Sequence, residues 1–452
     1  MQEHPMASFH LADALMPNHR FQRAEIADAM LEDFVSSPKG TPCIYRGSQR
    51  WIVDYKPMVG TDKEKETVQI SGGTYLLIGP FDVKMQTFAQ YLVQSSGQGL
   101  VRIIVIDEQI DLPDKTVWPL IEAGNMHTTE KVLQAAVLAL RLEELGAEVQ
   151  FIPVKSQGHG LLAEAVARTV ALYGEIIGVL YTDWSSEEVT FTAISDLDFT
   201  GAETELIRTM KGLDELERAL APYKPKFCFI QSSIASELGG LGLSLHAAAA
   251  AYTEAFVRRH NEETDSFWNS ICWDAWTAGM TTNWEKRGGE LARMAIRPEE
   301  GIDLWAQLMA CRNIPHFLIS TTDFAARRTY ALQSREAEQA KLDRGSPVLQ
   351  PRPALPVPLV APRHEMEQQL VDAWVELLGV EPIGVHDDFF SLGGHSLLAT
   401  QVISWVNSRF PVEFSLKLFF EHPTVSEIAE AIEMLLIEKL ENMTEEQVSQ
   451  LL

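Results

Sequence analysis

Cysteine is scarce in this chain. Its 452 residues include four, Cys43, Cys228, Cys272 and Cys311, scattered and without a CxxC pair. That excludes a disulfide framework or a zinc knuckle and points to a reducing, cytoplasmic setting. Basic residues are short as well: 37 Lys and Arg stand against 63 Asp and Glu, a formal net charge of −26. A binder of phosphate backbones needs a basic face, so nucleic acid is excluded as a partner. An anionic membrane surface is excluded for the same reason. No apolar run approaches the ~20 residues of a membrane span. The N-terminus MQEHPMASFH lacks a basic stretch followed by an apolar one, so no secretory signal is read there. The twelve histidines do not cluster, and His10 and His19 lie nine apart in a surface segment. No metal site is predicted from that spacing.

What is present is ample core material. With 46% hydrophobic and 22% charged residues, the chain reads as globular, and its length implies two or three domains. The clearest boundary is SPVLQPRPALPVPLVAP, whose prolines 347, 351, 353, 356, 358 and 362 remove backbone donors and hold the chain extended. Residues 331–362 are therefore read as a proline-rich linker. A softer boundary is the polar stretch TDKEKETVQISGG. Before it, CIYRGSQRWIVDYKPM predicts two short strands around an Arg-Gly turn, and residues 10–35 one or two amphipathic helices. From Thr74 onward, short β-rich runs alternate with helical patterns: TYLLIG, VRIIVID, VQFIPV, IIGVLYT and KFCFIQSS are separated by amphipathic stretches. Alternation of this kind predicts right-handed crossovers and a parallel, doubly wound α/β sheet over residues 66–330.

Residues 363–438 change character. Apolar positions recur at helical spacing, with Leu370, Trp374 and Leu377 in one stretch and Leu397, Val402 and Trp405 in another. This predicts an all-α four-helix bundle with a long first loop. Within it lies DDFFSLGGHSLLATQ. That segment resembles the phosphopantetheine attachment motif of carrier proteins, in particular the peptidyl carriers of nonribosomal peptide synthetases. The resemblance implies that Ser396 carries 4′-phosphopantetheine, with Gly393, Gly394 and His395 leading into its helix. Glycines allow a tight approach, and a helix N-terminus favours the incoming phosphate. Asp387 and Asp388 read equally as solvated loop acids or as steering charges near the modification site. Phe389 and Phe390 read as a staple of the loop onto the core. Residues 439–452 read as a tail or linker.

Residues 73–325 resemble the ketoreductase domains of modular polyketide synthases, relatives of the short-chain dehydrogenases. GGTYLLIG, KFCFIQSSIASELGGLGLSLHAAAAAYTEAF, ICWDAW and RPEEGIDLWAQLM carry the likeness. Residues 1–65 resemble the remnant of the structural subdomain that accompanies such reductases. The resemblance implies a glycine-rich pyrophosphate turn and a Ser, Tyr, Lys, Asn tetrad, and most of these positions are altered. In IGPFDVKM, Gly79 is kept, but Ile78, Val83 and Met85 replace the turn's other marker residues, and Asp82 adds a negative charge. Asp107 and Glu108 stand where an arginine would meet the NADPH ribose phosphate, and Asp107 is read as a solvated strand end. Lys155 replaces an adenine-side Asp, and Tyr181 and Trp184 are bulky residues expected to fill the nicotinamide approach. Ser233 holds the Ser position, but His246 replaces Tyr, Ala250 replaces Asn and Thr209 replaces Lys. Lys211 falls on another helix face, and Tyr252 on a core position.

The resemblances together predict a segment of a hybrid polyketide/nonribosomal peptide synthetase of secondary metabolism. It would join a pseudo-ketoreductase, a non-catalytic scaffold not expected to bind NADP(H), to a carrier. Expected partners are a phosphopantetheinyl transferase, a carrier-bound acyl or peptidyl thioester, and neighbouring ketosynthase, condensation, dehydratase or methyltransferase domains. The alternative is a cofactor-free epimerase or isomerase acting through Ser233 and His246.

Overall fold

Strands covered on both faces must be apolar at every position, and the central runs of the large domain meet that demand. Leu76, Leu77, Ile78 and Ile103 to Ile106 are all closed to solvent. The computed structural model describes residues 12–14, 20–36, 43–46, 49–58, 70–97, 99–126, 128–154, 160–183, 194, 197, 199–240, 242–277, 295–328, 349–394, 396–412 and 414–441. At the N-terminus, β1 (Ala12–Ala14) pairs parallel with β2 (Cys43–Arg46), which pairs antiparallel with β3 (Gln49–Ile52). These last are the two strands expected around the Arg-Gly turn. Of the one or two helices expected over 10–35, the described residues show one, α1 (Arg20–Ser36), preceded by β1. Ile26 of α1 packs on Cys43 and Tyr45.

The large domain is a seven-stranded sheet. Its strands are β4 (Gly73–Ile78), β5 (Val101–Asp107), β6 (Glu148–Pro153), β7 (Ile176–Tyr181), β8 (Phe227–Ser233), β9 (Trp268–Trp273) and β10 (His316–Leu318). They lie in the order β6-β5-β4-β7-β8-β9-β10 and every pairing is parallel. This is the Rossmann-like, doubly wound sheet expected from the alternation, with the order reversing beside β4. Parallel neighbours need crossovers, which the helices supply: α2 (Val83–Gln94), the short α3 (Trp118–Glu122), α4 (Glu130–Glu144), α5 (Leu161–Tyr173), α6 (Phe199–Leu220), the single turn α7 (Ala235–Leu238), α8 (Ser244–Glu263) and α9 (Pro298–Ala310). One face of the sheet packs Phe227, Phe229 and Trp273 against Phe88 of α2 and Trp305 of α9. The other packs Val179 and Ile230 against α5, α6 and α8.

The carrier region is built from α10 (Glu365–Leu378), α11 (Ser396–Arg409), α12 (Leu416–Glu421) and α13 (Val425–Glu441), with the expected long first loop. Leu370, Trp374, Phe389, Val402, Phe419 and Ile428 form its core. The second half of the proline-rich segment does not run free of it. Gln350–Pro351, β11, pairs parallel with Val380–Glu381, β12, and Val385 N–H donates to the Val360 carbonyl at 2.9 Å. Arg352 grips Asp387 with Nε and Nη2 at 2.8 and 2.6 Å. Asp387, which has no side-chain exposure, also accepts from Gly384 N–H at 2.8 Å. Asp387 is thus neither a solvated acid nor a steering charge. Its carboxylate is sunk in the loop and satisfied there, because a buried charge is tolerated only when paired and hydrogen-bonded. Glu367 repeats the device: fully covered, it is held by the Arg363 guanidinium and accepts from Arg363 N–H at 2.6 Å.

Removing one partner of a buried pair strands the other, which costs about 3 kcal/mol or more. Arg352→Ala is therefore expected to lower carrier stability by about 3 kcal/mol in urea denaturation, and an unchanged midpoint would count against the anchor. Burial raises the Glu367 carboxyl, but the Arg363 hydrogen bonds and charge outweigh it and the net direction is down. A depressed carboxyl contributes stability above its unfolded value of ~4.3 and loses it as pH falls through the lower folded value. Acid titration is thus expected to weaken the carrier below about pH 4.3, and Glu367→Gln should flatten that dependence.

Candidate functional site

The carrier's candidate site is a loop that ends in a helix. Phe389 is fully buried, edge-on to Trp374 at 4.9 Å and to Phe419 at 5.0 Å. Phe390 meets Phe389 edge-on at 5.5 Å, so the two rings do staple the loop to the core. Around that anchor the backbone coils back on itself: Gly393 N–H donates to Phe390 O and Gly394 N–H to Phe389 O. Asp388 accepts from Ser391 N–H at 2.8 Å. Gly393 sits at φ +95°, where an L side chain is strained. A Cβ on Gly394 would lie 2.4 Å from the Phe389 ring. Both glycines are therefore demanded by the fold itself. Two residues past Gly394, Ser396 is the first residue of the 14-residue α11. The first turn of a helix carries backbone N–H groups without helical partners and the positive end of the helix dipole, a setting suited to a phosphodiester. His395 lies outside the described residues.

The second candidate site lies at the carboxyl ends of β4, β5, β7 and β8, where open α/β sheets hold ligands. Gly79 survives for a packing reason. It has φ +110°, and a Cβ there would lie 2.0 Å from the Thr182 carbonyl oxygen. Past it, Asp82 caps α2, its carboxylate accepting from Met85 N–H at 3.0 Å and pairing with Lys84 at 2.8 Å. Met85 is wholly buried under the sheet. An acid of the chain itself thus stands at the helix end where a pyrophosphate would lie. Asp107 is not a solvated strand end. It is 2% exposed, accepting from Phe81 N–H at 2.8 Å through one oxygen and from Gln109 and Ile110 N–H at 2.6 and 3.1 Å through the other. These bonds tie the β4–α2 turn to the loop after β5. Glu108 pairs with Arg208 at 3.6 Å.

Buried Thr209 hydrogen-bonds Asp183 in the loop after β7. His246, half-buried on α8, senses the same Asp183 and Lys84. Burial lowers the His246 pKa, Lys84 lowers it further and Asp183 opposes both. Ser233 is turned elsewhere: its hydroxyl accepts from Ala235 N–H at 3.2 Å at the start of α7. Ala250 is buried, and its carbonyl accepts from Ser232. Lys211 is exposed while Thr209 is buried, so the two occupy different faces of α6. Tyr252 lies tilted beside Phe256, ring centroids 6.3 Å apart, at the rim of the core. Tyr181 corrects an expectation. It does not stand in a cofactor approach but lies wholly buried with Ile78, Ile230 and Phe256, because its place on β7 turns it toward α5, α6 and α8. Lys155 and Trp184 lie outside the described residues.

Comparison with known proteins matches both parts. The profile described as "Phosphopantetheine attachment site" covers residues 368–432, and the profile "KR domain" covers residues 73–278. Tyrocidine synthase 3 of Brevibacillus parabrevis is 56% identical over 70 residues, 16% of this chain and 1% of that protein. Gramicidin S synthase 2 of Brevibacillus brevis is 49% identical over 73 residues, 16% of this chain and 2% of that protein. The chain thus spans only a small fraction of the curated relatives it matches. Among solved structures, a ketoreductase domain from the bacillaene assembly line superposes with TM-score 0.53 and 17% identity, covering 69% of each chain. A multidomain structure of a keto acid-selecting NRPS module, with adenylation, ketoreductase and pseudo Asub parts, gives TM-score 0.52 and 12% identity over 75% of this chain and 26% of that one. At such identities these structures speak for the fold. Among the described residues no helix is long and apolar enough to cross a membrane. The chain joins a domain of the KR type, on a Rossmann-like sheet, to a helical phosphopantetheine carrier domain of the kind found in nonribosomal peptide synthetases.

Proposed function

We propose that this chain is a carrier-bearing segment of a hybrid polyketide/nonribosomal peptide synthetase, and that its KR-type domain is a scaffold with no reductase activity. The observation that carries the reading is paired. One helix N-terminus, at Ser396, follows two glycines that the loop requires, and the other, at Val83, is capped by the chain's own Asp82. Ser396 is the attachment point for 4′-phosphopantetheine, delivered by a phosphopantetheinyl transferase. When bound, that arm supplies a thiol on which an acyl or peptidyl group rides as a thioester. The chain's contribution is to hold the attachment helix rigidly through Phe389, Trp374 and Phe419 and to leave the arm free to visit neighbouring catalytic domains.

NADP(H) does not fit the second site. Asp82 offers a negative charge where phosphate would need donors, and Asp107 consumes three backbone N–H groups at the same strand ends. Carboxylates already seated on these donors compete with a dinucleotide phosphate for them. The proton relay is dismantled in parallel: Thr209 is bonded to Asp183, and Ser233 serves the turn of α7.

Incubation of the full chain with a phosphopantetheinyl transferase and coenzyme A is expected to add one arm by mass spectrometry, and none in Ser396→Ala. Full labelling of Ser396→Ala would sink the assignment. NADPH fluorescence titration is expected to show no saturable binding, and tight binding would overturn the scaffold reading. A third measurement bears on the epimerase alternative: α-carbon deuterium exchange of a carrier-bound β-ketoacyl thioester is expected to stay at the solvent background. Exchange that vanishes in His246→Ala would replace the scaffold with an enzyme.

A further inference from the structure

The edge of the large sheet carries chemistry that neither proposed role uses. Glu254 lies on α8, Cys272 near the end of β9, and His316 opens β10. Among the described residues these three form a group whose candidate donor atoms all lie within 4.8 Å of one another. Cys272 Sγ is 2.8 Å from Glu254 Oε1 and 3.9 Å from His316 Nε2, and His316 Nε2 is 3.9 Å from Glu254 Oε2. Bond lengths of ~2.3 Å to sulfur and ~2.0 Å to nitrogen and oxygen place tetrahedral ligands about 3.3–3.5 Å apart. With one donor atom from each residue the three lie within 4.8 Å of one another, so shifts of up to ~1.5 Å close the site.

The surroundings are arranged as an outer shell. Ser270 Oγ lies 2.8 Å from His316 Nδ1, which fixes the ring and leaves Nε2 facing the cluster. Ser232 donates to Glu254 Oε1 at 3.3 Å. The Tyr55 ring lies beside His316, centroids 6.5 Å apart. Glu254 is 11% exposed, yet among the described residues no Lys or Arg pairs with it. A buried carboxylate beside a thiol and an imidazole is short of positive charge, and a cation supplies it. His316, 30% exposed, leaves an entry path and room for a solvent ligand.

We propose that Glu254, Cys272 and His316 bind Zn²⁺, with water as fourth ligand. Sulfur and imidazole donors favour a borderline-soft ion over Mg²⁺ or Ca²⁺, which take oxygen. As the Zn–S bond forms, the Cys272 thiol proton passes to solvent. The ion ties β10, an edge strand of three residues, to β9 and α8. The site is independent of Ser396 and of the cofactor question.

Co²⁺ titrated into the chelator-stripped full chain is expected to give tetrahedral d–d bands and a near-ultraviolet thiolate-to-cobalt band, both displaced by one equivalent of Zn²⁺. Cys272→Ser should abolish the thiolate band and Cys311→Ser should keep it. Ser270→Ala retains every ligand and is expected to weaken Zn²⁺ binding about ten- to hundredfold. Absence of the thiolate band, or its persistence in Cys272→Ser, overturns the proposal. If Cys272→Ser fails to fold, His316→Gln decides instead, since its partly exposed side chain can be changed without emptying the core. Zn²⁺ affinity equal to the parent chain in that variant also overturns the proposal.

Discussion

The upper edge of the large sheet depends on which acceptor satisfies the backbone N–H groups that follow β4 and β5. Such groups cannot be left bare beside a buried core. A ligand phosphate is one solution and a carboxylate of the chain is another. Here Asp82 and Asp107 provide the second. Once Asp107 bonds Phe81, Gln109 and Ile110, two loops from different strands become one unit. Gly79 can then lie against Thr182 and Met85 can fill the space beneath α2. The crest of the sheet is thus organised by acceptors that the chain itself supplies.

The same chemistry recurs in the carrier to a different end. Asp387 and Glu367 are both fully covered acids, each held by one arginine and at least one backbone N–H. Arg352 comes from the proline-rich segment, so that pair fixes chain leading into the bundle rather than the bundle alone. Extended proline-containing chain brings few donors of its own. A short parallel pairing at Gln350–Pro351 and one guanidinium supply its register. The carrier's approach is thereby anchored on the loop that ends at Ser396.

The sequence made the architecture legible where the signal was local or periodic. Alternating β-rich and amphipathic runs mark the parallel sheet, and the glycine pair lies one residue short of the helix it introduces, so its turn and its chemistry are read together. Asp107 was not legible in that way. Its three donors come from two loops, and nothing in IDEQ says that the carboxylate faces inward. Tyr181 shows the complementary limit: alternation along a strand tells which residues share a face, not which face a helix will cover. Glu254, Cys272 and His316 carry no linear spacing at all. They meet because β10 pairs with β9 and α8 crosses the same edge.

These placements also change what the acidity of the chain means. From Arg363 to Leu452 there are 16 acids and 4 bases, and the surplus reads as a field for steering basic partners. Two of those acids are spent internally. Glu367 faces Arg363, and Asp387 faces Arg352 from the preceding segment, so neither projects charge toward solvent. What remains to steer an encounter is the exposed acids, and their effect falls off within a Debye length of ~8 Å at physiological salt. A field of that reach acts on partners already near the carrier. It therefore favours short encounters with a partner already close by over capture from a distance.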